Sequence, residues 1–153
     1  MHVLIASSSF YRQNCYRELL EDLGHATTAV SGGIECIAEL RWRQADLLLL
    51  EAPLLWGGSD GVLAVLQAES PRALPVLVIC LHQGHPEWFQ LSRFRIDDFL
   101  VRFPTLGELR SALDRCAGWG TASRGAVAAG RGFQSVAAAL SASCPADARG
   151  AAS

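Results

Sequence analysis

The chain has 153 residues, half of them hydrophobic, and a formal net charge of −2. That is the length of one ordinary domain with a real core and a short appendage. A balance so near neutral argues against nucleic acid or an anionic membrane surface as the partner.

The apolar run at His2–Ala6 is followed by three serines, as a strand buried on both faces should be. Ser9 can cap a helix over Phe10–Leu23, where Cys15, Leu19 and Leu23 recur at four-residue spacing and Gly24 supplies the stop. His25–Val30 is rich in strand-forming residues and breaks at Ser31-Gly32-Gly33. A helix over Ile34–Arg43 places Ile34, Ile37 and Leu40 or Ala38 on one side. Leu47–Leu50 is a second wholly apolar strand. A loop from Ala52 to Gly61 and a helix over Val62–Glu69 follow it.

Pro75–Cys80 is a third apolar strand, and Pro86 suits the first turn of a helix covering about Glu87 to Phe94. Phe99–Val101 is a short strand. Thr105 and Glu108 form a capping box that opens a helix through Leu109, Leu113 and Cys116. Five strands alternating with five helices, the strands apolar throughout, predict an α/β fold with a parallel sheet covered on both faces.

From Gly118 the composition turns to Ala, Gly and Ser. The expected organisation is one domain over residues 1–118 and a low-complexity tail over 119–153. Within the tail, Phe133, Val136, Ala137 and Leu140 stand at i, i+3, i+4 and i+7, a weak amphipathic pattern over 131–141. The thirteen basic residues are all arginine: ten lie in residues 1–119 beside fourteen Asp or Glu, and three lie beyond beside one Asp. Neither block is extreme, and the missing lysine reads first as composition bias.

Cys15, Cys36, Cys80, Cys116 and Cys144 are widely spaced, odd in number and lack a C-x-x-C pair. That suits reduced thiols rather than a disulfide framework or zinc site. No segment approaches a membrane span and the amino terminus has no basic region before its short apolar stretch, so a cytoplasmic location is expected.

Five segments carry a resemblance: Val3-Leu-Ile-Ala6, Asp46-Leu-Leu-Leu-Leu50, Gly58-Ser-Asp-Gly61, Pro75-Val-Leu-Val-Ile79 and Asp97-Asp-Phe-Leu-Val101. With their spacing, residues 2 to about 116 resemble a chemotaxis-type receiver domain of a two-component response regulator. The resemblance implies a flavodoxin-like (βα)5 sandwich with strand order 2-1-3-4-5. It also implies a phosphorylation pocket at Ser7, Ser8, Glu51, Cys80 and Arg102, beyond the carboxyl ends of the strands.

Each of these positions departs from the family. Phosphorylated receivers hold Mg²⁺ with two carboxylates after the first strand and an acceptor aspartate after the third, because a hard cation wants oxygen ligands. Here Ser7 and Ser8 are neutral and Glu51 replaces the aspartate, so Mg²⁺ binding should be weak or lost. Cys80 replaces the small hydroxyl residue that follows the phosphoryl group, and a thiol is a weak donor. Arg102 stands for the family's lysine. Its guanidinium is expected to pair with Glu51, whether as a built-in mimic of the phosphorylated state or as drift in a disused pocket. Phe99 fills the aromatic switch position without a hydroxyl. Arg102-Phe103-Pro104 replaces a Lys-Pro pair, so the bond between Arg102 and Phe103 should be trans.

The expected function is therefore that of a pseudo-receiver, a phosphorylation-independent interaction module in bacterial signalling, with no enzymatic activity and no cofactor. Its partner would be a signalling protein or a second copy. The resemblance places the contact face at Phe94, Arg95, Phe99, Arg102, Phe103 and Arg110. An alternative from another class is a small ligand binder or enzyme using Ser7-Ser8-Ser9, where a helix amino terminus could hold an anion. No G-x-G-x-x-G, P-loop or G-x-S-x-G motif supports it. Cys80, His82 and His85 make a metal site imaginable, but no fourth ligand is evident. Trp56 and Trp88 lie near the functional edge as interface anchors, whereas Trp42 and Trp119 are expected to be partly buried against helices.

Overall fold

The structure, a computed structural model, describes residues 1–69, 74–81, 91 and 93–122, with residues 119–122 by backbone alone. Five strands, β1 (His2–Ala6), β2 (Ala26–Val30), β3 (Leu47–Ala52), β4 (Val76–Cys80) and β5 (Asp98–Val101), form one parallel sheet in the order β2-β1-β3-β4-β5. Between and after them lie α1 (Phe10–Asp22), α2 (Gly33–Trp42), α3 (Gly58–Glu69) and α4 (Leu106–Ala122). This is the flavodoxin-like order.

The central strands alternate their side chains between two cores, as the two-residue period of a strand requires. Leu4, Ala6, Leu48, Leu50, Val76 and Val78 pack under α2 and α3 with Cys36, Val62 and Leu63. Val3, Ile5, Leu47, Leu49, Leu77 and Ile79 pack under α1 and α4 with Tyr16, Leu20, Leu109, Leu113 and Cys116. Burial raises the Cys36 and Cys116 thiols to about 12, so both are inert at neutral pH.

Local signals act where expected. Ser9 caps α1 by accepting from the Arg12 amide, and Gly24 follows its end with φ +80°. Thr105 and Glu108 exchange the reciprocal bonds of a capping box.

Four details differ from the sequence reading. The innermost residues of α1 are Gln13, Tyr16 and Leu20, while Cys15, Leu19 and Leu23 are half-buried. Strand ends leave carbonyls that need donors: the Gln13 amide turns inward to the carbonyls of Ser7 and Val30, at 2.7 and 3.2 Å. In α2 the face on the sheet is Cys36, Ile37 and Leu40, and Ile34 is left outside. α3 begins at Gly58, before Val62, because Gly57 and Gly58 take positive φ and turn the chain early. Trp42 ends α2 on its outer side and is 89% exposed, not partly buried.

α4 continues past Gly118 to Ala122, across the expected start of the tail. The weak helix over 131–141, Trp88, the Trp119 side chain, His82, His85 and most of the helix expected over Glu87–Phe94 lie outside the described residues. Among the described residues no helix is long and apolar enough to cross a membrane.

Candidate functional site

The site forms at the carboxyl edge of the sheet, where β1, β3, β4 and β5 end side by side. Glu51 is the fifth residue of β3 and shares the parity of Leu47 and Leu49, so its side chain enters the layer of α1 and α4. It is 1% exposed. A lone carboxylate there would be costly, and α1 supplies the partners.

Arg12 Nε donates to Oε1 and Oε2 of Glu51 at 2.9 and 2.8 Å, and Nη2 lies 2.7 Å from Oε1. The Tyr16 hydroxyl donates to Oε2 at 3.0 Å. Arg12 and Tyr16 are one turn apart on α1, so a single helix face delivers both. Their titration reflects the contact. Burial first, and then the Glu51 charge, hold the Tyr16 phenol far above its ordinary range. The bond to Glu51 raises the already basic Arg12. The Tyr16 ring also stacks on Phe103, with centroids 5.0 Å apart and planes 19° from parallel. One tyrosine thus joins the end of β3 to the loop between β5 and α4.

The expected pairing of Glu51 with Arg102 is not what the structure contains. Arg102 is the first residue past β5; its amide donates to the Cys80 carbonyl at 2.8 Å and its φ is +69°. The left-handed backbone turns the side chain outward. Its Nη2 meets Glu108 Oε1 at 2.6 Å and its Nη1 donates to the Phe103 carbonyl at 3.2 Å. Glu108, in the first turn of α4, holds the guanidinium at the surface, and Arg12 takes the place beside Glu51.

The serines are engaged with backbone. Ser7 is buried and its Oγ accepts from the Ser9 amide at 3.3 Å. Ser8 Oγ accepts from the Leu55 amide at 2.9 Å, which ties the turn after β1 to the loop after β3. Cys80 is 4% exposed and stands in register with Ala52 and Val101. Five of the bonds described above, those of Ser7, Ser8 and Glu51, therefore engage the polar groups of the pocket with other protein groups. As a donor set for Mg²⁺ the cluster is a poor fit: two hydroxyls bound to backbone amides, and one carboxylate already held by a guanidinium that would repel a cation. Among the described residues no group of three or more His, Cys, Asp and Glu could hold a metal ion, and the C-x-H-x-x-H histidines lie outside them.

The residues expected on a contact face divide in two. Phe94 and Phe99 are half-buried and pack against the core under α2 and α3. Arg95, Arg102, Phe103 and Arg110 are exposed around β5 and α4. Among the described residues the cis peptide bond is Ala52–Pro53. Sequence reasoning missed Arg12, Gln13 and Tyr16. The readable signal was a charged and an aromatic residue at i and i+4 on the first helix, which must start beside the end of β3.

No family model matches the sequence, and no curated protein matches it. Solved structures do. The N-terminal domain of a response regulator/sensory box/GGDEF protein from Carboxydothermus hydrogenoformans superposes with a TM-score of 0.73 at 15% identity, over 80% of this chain and 98% of that one. The receiver domain of a Pseudomonas aeruginosa sensor histidine kinase, with a magnesium ion coordinated in its active-site cleft, gives 0.71 at 19% identity, over 76% and 97%. The Vibrio cholerae chemotaxis protein CheY4 gives 0.67 at 16% identity, over 75% and 97%. At these identities the likeness is one of fold: the chain has the flavodoxin-like fold of receiver domains.

Proposed function

We propose that this chain is a pseudo-receiver, a signalling module of two-component type that works by contact and carries out no phosphoryl transfer. The observation that carries the reading is the closed state of Glu51. A carboxylate that accepts a phosphoryl group must present an oxygen to the donor and share a divalent cation with it. Both oxygens of Glu51 are instead engaged by Arg12 and Tyr16 in a position 1% exposed. Serines stand at both places of the acidic pair.

Such a module has one fixed output surface instead of a switched one. Tyr16 holds Glu51 with its hydroxyl and Phe103 with its ring, so the pocket and the β5–α4 loop share one arrangement. Arg102 and Phe103 lie in that loop, Arg110 follows on α4 and Arg95 precedes β5, and these exposed residues supply the contacts for a protein partner. Phe94 and Phe99 pack instead into the core under α2 and α3.

The test is incubation with Mg²⁺ and acetyl phosphate, followed by intact mass, with a parallel titration of beryllofluoride read by tryptophan fluorescence. The expected result is no phosphoryl adduct and no saturable Mg²⁺-dependent change. An adduct on Glu51, or a saturable response that Glu51→Gln abolishes, overturns the reading.

A further inference from the structure

The outer side of α2 carries an apolar ridge. Ile34, Ala38 and Trp42 recur at four-residue spacing, which places them along one side of the helix. Ile34 is 67% and Trp42 89% exposed, and Ala38 is exposed between them. The loop after β3 extends the ridge past the helix's amino end with Leu55, 57% exposed, and Trp56, 78% exposed.

The join is built from backbone. Gly32 and Leu55 form a parallel bridge, and the amides of Gly33 and Ile34 donate to the carbonyls of Leu55 and Trp56, both at 2.9 Å. A Cβ on Gly33 would lie 3.0 Å from the Trp56 carbonyl oxygen. Trp56 sits at φ +52°, a conformation that strains a bulky residue and persists only where its surroundings hold it. The indole is thus displayed by a fixed scaffold, which lowers the ordering cost of a contact.

Size and charge identify the occupant. Two exposed tryptophans offer on the order of 300–500 Å² per copy. With Ile34 and Leu55 the ridge is on the order of 600 Å², the upper end of what a monomer commonly exposes. It approaches the roughly 800 Å² each partner contributes to a standard interface. Glu35 and Asp60 are exposed at the amino end of α2; at its carboxyl end Arg41 and Arg43 are exposed, paired within the copy with Glu69 and Glu39 respectively. Turned end for end, each copy sets its acidic end against the arginines of the other.

We propose that a second copy of this chain covers the ridge, the two α2 helices lying antiparallel about a two-fold axis at Ala38. In that register Ile34 faces Trp42 of the second copy and Glu35 faces its Arg41, and the symmetry makes each contact twice. The small Ala38 at the crossing permits close approach of the helices, and their dipoles oppose favourably. Within one copy, Arg41 holds Glu69 through Nε and Nη2, which leaves other donors of its guanidinium for Glu35. β5 lies at the other edge of the sheet from β2, so the dimer leaves the β5–α4 surface open. The inference does not depend on the pocket being inactive.

Sedimentation velocity of the full chain from low to high micromolar concentration tests it. The expected result is a monomer–dimer equilibrium whose dissociation constant rises about tenfold or more in Trp42→Glu and in Trp56→Glu. Circular dichroism should stay unchanged because both side chains are exposed. Glu35→Arg and Arg41→Glu should each be monomeric alone and should pair when mixed, since mixing restores opposite charges at both ends. A wild type that stays monomeric, dimerisation insensitive to both tryptophan substitutions, or a mixture that fails to pair overturns the proposal.

Discussion

Arg12, Tyr16 and Glu51 form a unit whose members act through one another. Breaking a buried ion pair strands a charge, whereas replacing both partners with apolar groups removes the charge altogether. Arg12 retains 34% of its side-chain surface, so it is partly solvated and the cost of losing it falls below the range for a fully buried pair. Arg12→Leu should destabilise the fold by about 2 kcal/mol, and Tyr16→Phe by about 1.5 kcal/mol through loss of a bond to a charged acceptor. The double variant Arg12→Leu/Glu51→Leu should regain most of the first loss. Urea unfolding of the three variants measures this; an Arg12→Leu protein as stable as wild type would mean the pair contributes nothing. The position of Glu51 was legible because its strand is a run of four leucines ending in one acid. Its partners were not, because they are separated from it by 39 and 35 residues and meet it only once β1 lies beside β3. Arg102 attracted the expected pairing by family position, and a left-handed backbone at one residue sent it to Glu108.

Elements with purely local instructions were read well. The three inner strands β1, β3 and β4 are apolar on both faces over most of their length, the pattern a covered parallel sheet demands, and the Ser9 cap and the Thr105–Glu108 box each act within three residues. Helix faces were read less well. In α1 the sheet edge selected Gln13 and Tyr16 for their donors, which a count of apolar positions does not see. The capping box of α4 also gives a pH dependence. Bonds from the Thr105 amide and hydroxyl, and then the nearby Arg102, hold the Glu108 carboxyl below its ordinary range. A carboxyl depressed in the folded state stabilises it above the unfolded value of about 4.3. That contribution is lost as pH falls through the folded value. Glu108→Gln keeps a capping side chain but cannot titrate. Its stability deficit should therefore be full at neutral pH and should shrink in acid, as thermal melts across that window would show. Thr105→Ala, which removes the cap itself, should cost about 1 kcal/mol at neutral pH. A deficit in Glu108→Gln that stays constant with pH would mean the carboxylate's charge contributes nothing to the helix end.

At the scale of the whole molecule, β1, β3 and β4 are the common wall of two cores, and this should make the domain unfold as one unit. Leu49 and Leu50 are adjacent in β3 and both fully buried, yet Leu49 belongs to the core under α1 and α4 and Leu50 to the core under α2 and α3. Truncating either to alanine leaves a cavity on one side only, at a cost of about 3 kcal/mol. If the layers were independent, amide exchange would accelerate only in the helices facing that cavity. The strand cannot leave one layer without leaving the other, because its ladder to β1 and to β4 carries residues of both parities. Hydrogen exchange read by mass spectrometry should therefore show the slowest amides of α1 and of α3 losing protection by the same factor in Leu49→Ala and in Leu50→Ala. Loss confined to α1 in the first variant and to α3 in the second would show two separately opening layers. In that case the Tyr16 bridge, which sits wholly in the α1 layer, could loosen without disturbing the α2 ridge. A single opening unit couples them: whatever stabilises the α2 face also holds the Glu51 pocket closed.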